Sequence, residues 1–185
     1  MNPERLLAEW LLAEADRMAA LTTLAAFNLP DAYLAAGFVR NLVWDRLHGY
    51  RQTTPLQDLD VVYFDADDCD ASRDRALERA LSEQWPAPWS VKNQARMHRR
   101  NGDAPYRSTA DAMSYWVEVE TAVGVRLNAD GALAFCAPLG LASLLAGELT
   151  LNPKRPKPDD FQQRLVGKEW KTRWPGLTIR SFSDK

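Results

Sequence analysis

Residues 35–64 pass from small residues and a glycine, through a helical period, to an apolar run with Asp58-Leu59-Asp60 at its mouth. This order constrains the fold more than any other feature of the chain. Residues 59–64 are rich in β-branched and aromatic side chains and read as a strand. Positions two apart on a strand point the same way, so Asp58 and Asp60 converge on one face while Leu59 and Val61 turn into the core. Adjacent carboxylates repel and raise each other's pKa unless a cation sits between them. A hard divalent ion, Mg2+ (or Mn2+), satisfies such a pair and commonly brings substrate phosphates with it. Upstream, residues 32–36 read as a short buried strand ending at Gly37, and a helical period restarts over 39–48. A glycine at a strand-to-helix turn lets backbone N–H groups come close to a phosphate. Acid pair and glycine turn together point to phosphate chemistry.

The remaining periodicities predict a mixed α+β chain. Pro3 opens a helix over about 3–24, whose stripe of Leu6, Leu7, Trp10, Leu11, Met18 and Leu21 belongs to the core. The acidic run Asp65, Asp67, Asp68 and Asp70 suits a solvated loop and the N-terminus of a helix over 72–84. Strands are expected over 89–97, 118–127 and 132–136, the last two joined by a turn at Asn128-Ala129-Asp130-Gly131. Shorter helices are expected over 108–116, 139–146 and 161–170, the last capped by Asp160. The hairpin-like strands argue for a mixed, partly antiparallel sheet flanked by helices. The organisation expected is one domain over 1–185, with the N-terminal helix at one end and a basic helical tail, about 152–185, at the other.

Composition narrows the function classes. Formal charge is −2, so no global field draws nucleic acid to the chain. From residue 150 on, however, nine cations face four anions, and Trp170 and Trp174 interleave them. Such a tail either holds phosphates and stacks on bases or packs its tryptophans on the domain, and packing is the commoner outcome. Lys92, Arg96, Arg99 and Arg100 around His98 read as a solvated edge, or as a phosphate or RNA track. His48 and His98 lack the partners of a catalytic triad. Cys69 and Cys136 fit no zinc spacing and read as reduced thiols that pack. No apolar run approaches the roughly 20 residues of a membrane span, and the acidic N-terminus is unlike a signal peptide. A cytoplasmic protein is expected.

The segment Gly37-Phe38-Val39-Arg40-Asn41, with the helix and loop that follow and Asp58-Leu59-Asp60-Val61-Val62, resembles the polymerase-β-type nucleotidyltransferase superfamily. The likeness is greatest to the tRNA-nucleotidyltransferase pattern, in which a glycine pair precedes Val-Arg-Asp and a later strand carries Asp-x-Asp. More narrowly, GFVRN, VWDRLHG, DLDVVYFD, SVKNQARMH, YRSTADAMSYW, TAVGVRL and APLGL resemble a bacterial family of small nucleotidyltransferase-like proteins of unknown substrate. The resemblance implies Asp58 and Asp60 as metal ligands for an NTP, with Gly37, Phe38, Arg40 and Asn41 at its phosphates. It implies nucleotidyl transfer to a hydroxyl of RNA, protein or a small molecule. A third carboxylate commonly joins such a pair; Glu118 is favoured over Glu120, and Asn93 is a position where one could be missing. Arg40 either clamps a phosphate or braces the fold against Asp45 or another helix carboxylate. Phe38 stands where the family usually has a second small residue, which leaves a non-catalytic nucleotide- or RNA-binding module as the alternative.

Overall fold

The computed structural model describes residues 2–181. Its centre is a five-stranded mixed sheet of β1 (Tyr33–Ala35), β2 (Leu59–Tyr63), β3 (Trp89–Asn93), β4 (Gly124–Leu127) and β5 (Leu133–Cys136). The spatial order is β3-β2-β1-β4-β5. β1 runs antiparallel to both β2 and β4, whereas β2 and β3 are parallel, so the sheet is mixed as expected. A hairpin closes β4 onto β5, with Gly131 at φ +82° in its turn. Gly124 is required in β4 because the Cβ of Tyr33 on β1 lies 2.9 Å from where its own Cβ would sit.

One helix, α3 (Gly37–Leu47), runs through the core and is buried on most of its circumference: Phe38, Val39, Leu42, Val43 and Trp44 are all within 1 % of full burial. It is roofed by two N-terminal helices, α1 (Pro3–Leu12) and α2 (Ala15–Ala26). A single helix was expected over this stretch. The break falls at Glu14, whose backbone is extended and whose carboxylate accepts a hydrogen bond from Arg46 at 2.7 Å. A long-range ion pair therefore overrides a locally continuous apolar stripe.

α4 (Ala71–Gln84) crosses between the parallel strands β2 and β3, and Asp70 caps it by accepting from the Ser72 amide at 2.8 Å. The acidic run thus serves the loop and helix start assigned to it. After β3 the chain departs from the expected strand over 89–97. It turns at Asn93 into α5 (Gln94–Asn101), because the Asn93 side chain accepts from the Ala95 amide and starts a helix. Alternating Val91, Asn93, Ala95 and Met97 mimic a strand that the cap interrupts. The next helix, α6 (Thr109–Met113), is capped by Ser108 as expected but ends short of Trp116.

The strand expected over 118–127 is also shorter. Residues Val119–Thr121 form a 3-10 turn and only β4 is extended, since Glu118 and Glu120 are both drawn inward to separate partners. α7 (Ala142–Leu145) is a single turn within the helix expected over 139–146. The final segment contributes β6 (Glu148–Thr150), α8 (Pro158–Gly167), α9 (Trp170–Arg173) and β7 (Thr178–Arg180), with β6 and β7 paired in parallel. α8 starts at Pro158, so Asp160 lies in its first turn and does not cap it. Glu169, at φ +51°, separates α8 from α9, where one helix was expected.

The tail packs. Trp174 is fully buried with its ring 5.1 Å from that of Trp44, and its indole N–H donates to Asp45 at 2.8 Å. Asp45 also accepts from the amide and hydroxyl of Thr54. His48 accepts from the Gly176 amide, and the Tyr50 hydroxyl donates to the Arg173 carbonyl. Lys185 and Asp184, counted in the tail's charge, lie outside the described residues. Cys69 and Cys136 are free thiols. Among the described residues no helix is long and apolar enough to cross a membrane.

Candidate active site

Strand β2 carries Asp60 into a cleft of about 620 Å³ that opens beside the N-terminus of α3. Asp58, one residue before the strand, lines the same cleft and is exposed. Asp60 is half-buried, and its carboxyl is pushed above the ordinary aspartate range, first by burial and then by the charge of Asp58. Arg40, Lys168 and Arg164 act on it in the opposite sense from a distance. No side chain of the described residues donates a hydrogen bond to Asp60. The two acids are thus gathered without a contacting partner.

The opposite wall begins at the turn from β1 into α3. Ala36 holds φ +57° and ψ −125°, a region that a non-glycine residue adopts at a cost of about 1–3 kcal/mol. Its amide donates to the Val123 carbonyl and its carbonyl accepts from the Arg40 amide, which hold the turn in place. The left-handed residue is therefore Ala36, and Gly37 serves another purpose. A Cβ on Gly37 would lie 3.2 Å from the Asn41 amide nitrogen and 3.4 Å from an Arg40 guanidinium nitrogen. The missing side chain lets Arg40 and Asn41 fold back over the helix start, where Asn41 Oδ1 accepts from Arg40 Nη2 at 3.1 Å. The first amides of a helix have no carbonyl partner within it, so this end remains a donor site.

Arg40 forms the floor. It is sandwiched between Trp44 and Trp170, with its guanidinium 5.0 and 4.8 Å from the two ring centroids. Its Nη1 donates to Thr121 Oγ1 at 2.6 Å, while the hydrogen bonds of Asp45, the brace considered from sequence, go to Thr54 and Trp174. Burial lowers the pKa of Arg40 to about 10. Phe38, grouped with the phosphate-binding residues, turns its side chain into the core under Arg17. It brings only its backbone to the helix start.

Glu118 is fully buried and committed: Arg164 of α8 forks onto both of its oxygens, and Thr121 Oγ1 donates to Oε2 at 2.9 Å. Glu120 points elsewhere and accepts from the Thr150 amide. Asn93 sits at the far end of the strands, opposite Tyr63, where it binds the carbonyls of Asp65 and Asp68. The strand neighbours of Asp60 are Ala35 and Ser90, neither of them acidic. Among the described residues no group of three His, Cys, Asp or Glu side chains is placed to hold a metal. Two carboxylates nevertheless suit Mg2+, which binds through one or two of them and completes its shell with water and substrate phosphate. The open donor set formed by Asp58 and Asp60 fits that pattern.

The residues that sequence reasoning counted without placing are Arg164, Lys168 and Arg173. α8 and α9 bring them to the cleft wall facing the acid pair. Only the basic surplus of the tail signalled them. A second cleft, of about 520 Å³, lies on the other side of Asp60; Ala36, Asp60, Gln163 and Arg164 line both.

The family model described as Nucleotidyltransferase matches residues 22–179. The chain belongs to the nucleotidyltransferase family. A solved structure described as a CCA-adding enzyme head domain is 34% identical to this nucleotidyltransferase, covers 95% of each chain and superposes with a TM-score of 0.84. A CCA-adding enzyme in complex with CTP shares 12% identity and a TM-score of 0.59. It covers 98% of this chain but 44% of its own length. A tRNA-processing enzyme complex gives 15% and 0.54, over 88% and 43%. The chain therefore spans less than half of those two larger enzymes, whose likeness shows the polymerase-β-type fold alone. No curated protein sequence matches the chain.

Proposed function

We propose that this nucleotidyltransferase binds a nucleoside triphosphate, with Mg2+ or Mn2+, in the cleft between the α3 N-terminus and α8, and transfers its nucleotidyl group to an acceptor hydroxyl. The observation that carries this reading is the pair Asp58 and Asp60, uncompensated by any contacting cation, facing a helix N-terminus across a wall of Lys168 and Arg173. Carboxylates so placed need a cation, and the helix end and lysine need an anion. A metal-bound triphosphate supplies both. When bound, the divalent ion would neutralise triphosphate charge and lower the pKa of the attacking hydroxyl.

The chain's own residues have separable tasks. Asp58 and Asp60 hold the cation. The first α3 amides, at Gly37 and Phe38, donate to phosphate oxygens, with Arg40 and Asn41 beneath them. Lys168 and Arg173 take the charge that grows on the leaving pyrophosphate. The hydroxyl oxygen forms a bond to the α-phosphorus as the bond to pyrophosphate breaks. The hydroxyl proton leaves to solvent water, since Asp58 and Asp60 would both be taken up by the cation. Glu118 acts on none of these atoms; it positions Arg164.

The alternative, nucleotide or RNA binding without turnover, draws on the engagement of Glu118 by Arg164 and on the non-acidic strand neighbours of Asp60. Calorimetric titration of Mg2+ with each of ATP, CTP, GTP and UTP, into wild type and Asp58→Ala/Asp60→Ala, separates the readings. Metal-dependent nucleotide binding that the double variant loses supports the transferase. Nucleotide binding that survives without metal supports the binding module, and no binding at all overturns both.

A further inference from the structure

Asp60 stands on a ridge, and the cleft on its far side differs in chemistry from the donor cleft. It is bounded by β3, α5, the 115–118 segment and the first turn of α8. Lys92, Arg100 and Lys157 stand around it, and its aromatic wall is Trp116 with Tyr115, whose ring is stacked on Tyr106 and has the Lys154 ammonium 4.1 Å from its centroid. Two of these cations are unengaged: among the described residues neither Arg100 nor Lys157 has an ion-pair partner, while the Lys92 ammonium lies 3.7 Å from Glu78. The remaining cation, Arg164, is held by Glu118 and acts as the partition between the clefts. The carboxylates of Asp60, Glu118 and Asp160 also line the recess, Glu118 being the one engaged by Arg164. Lys157 is held below the ordinary lysine value by burial and by the neighbouring charge of Arg155, a strain that a bound anion would relieve.

We infer that this second cleft is the acceptor site and that it takes a small phosphorylated molecule bearing a planar ring, bound by Arg100 and Lys157 at its phosphate and by Trp116 at its ring. The inference rests on the transferase reading, because it gives that reaction its second substrate. A hydroxyl on such a molecule can reach the ridge at Asp60 from the side opposite the triphosphate. The step is the one already balanced: the acceptor oxygen bonds to the α-phosphorus, pyrophosphate departs, and the hydroxyl proton leaves to water.

Charge and size favour a small acceptor over RNA. Tight, salt-sensitive nucleic-acid binding draws on about six to ten phosphate contacts along a track. Here three cations surround one recess of about 520 Å³, on a chain whose residues before the basic tail carry a surplus of anions. That arrangement suits one phosphate group rather than a polyanion.

The test uses the full-length protein, metal-free phenyl phosphate as probe and calorimetry as readout. Both clefts carry cations, so the variants on the two sides of the ridge assign the probe to one of them. Wild type is expected to bind it, and Arg100→Ala/Lys157→Ala to weaken it about 10-fold or more, with Lys157→Arg retaining binding. Lys168→Ala/Arg173→Ala, across the ridge, should leave the probe's affinity unchanged. Far-UV melting curves identify any variant that fails to fold, and Arg100→Gln and Lys157→Gln then take its place. Phenyl phosphate that does not bind wild type, or binds the Arg100/Lys157 variants equally well, overturns the inference. A ribo-oligonucleotide that binds about 100-fold more tightly through the same two residues also overturns it, in favour of RNA. MgATP titrated in parallel separates the two levels. If MgATP binds and phenyl phosphate fails, this inference alone falls; if MgATP fails, the transferase reading falls and takes the acceptor role with it.

Discussion

Two residues bear most of the local cost of the site. Asp60 carries a carboxyl raised by burial and by Asp58. For a carboxylate raised in the folded state, stability falls as pH climbs from the unfolded value towards the folded one, and the full cost is present above both. Asp60→Asn is therefore expected to stabilise the metal-free protein at pH 7 by ~0.5–2 kcal/mol. The gain should vanish below the ordinary aspartate value of 3.8. Urea unfolding at the two pH values checks this, and an equal gain at both would separate the stabilisation from ionisation. The same shift requires nucleotide–metal affinity to weaken on acidification at a higher pH than an ordinary aspartate would set. Ala36 bears the second cost. Ala36→Gly relaxes φ +57° and should raise stability by ~1 kcal/mol despite the greater freedom of the unfolded chain. Gly37→Ala should act oppositely on function, displacing Asn41 and Arg40 from the helix start and weakening NTP binding. Sequence reading selected the turn and its glycine for close approach to a phosphate, and the structure adds that the strained backbone lies one residue earlier, at Ala36. Positive φ fell on the alanine before it because β1 must hand its backbone to Val123.

Among the elements, the least legible were those begun or ended by a side chain reaching far along the chain. Residues 89–97 alternate well enough for a strand, yet the chain turns at Asn93, which caps α5 and ties down the acidic loop through the Asp65 and Asp68 carbonyls. Asn93→Ala removes the cap and leaves those carbonyls short of a donor. It is expected to cost ~2–3 kcal/mol, read as a lower urea midpoint at unchanged m-value. The N-terminal stripe broke at Glu14 for a similar reason, since Arg46 is 32 positions away. By contrast β2, α3, α4 and the β4–β5 hairpin were legible because their periodicity, caps and turn residues agree locally. Glu118 lies between these cases. It was expected as a third carboxylate, and the structure shows it buried and engaged by Arg164, a contact that depends on where α8 docks.

At the scale of the whole molecule, the tail closes the site. Trp174 and Asp45 anchor it, and α8 and α9 then present Arg164, Lys168 and Arg173 to the acid pair. Trp174→Ala should cost ~3–5 kcal/mol from loss of a fully buried indole, and should weaken NTP binding as the cationic wall loosens. A thermal melt and the MgATP titration measure the two effects, and unaltered nucleotide affinity in a folded Trp174→Ala protein would refute the coupling. The sequence by itself determined the mixed sheet, the central helix behind a glycine turn, the Asp58–Asp60 pair and the family. Each is written in short-range periodicity and spacing, which the backbone geometry of strands and helices converts directly into direction. Only the tertiary structure decided which cations face those acids, that Glu118 is engaged by Arg164, and that Asp60 divides two clefts. Those facts depend on contacts between segments about 50 to 130 residues apart, whose pairing is selected by packing of the whole core and leaves no local period to read.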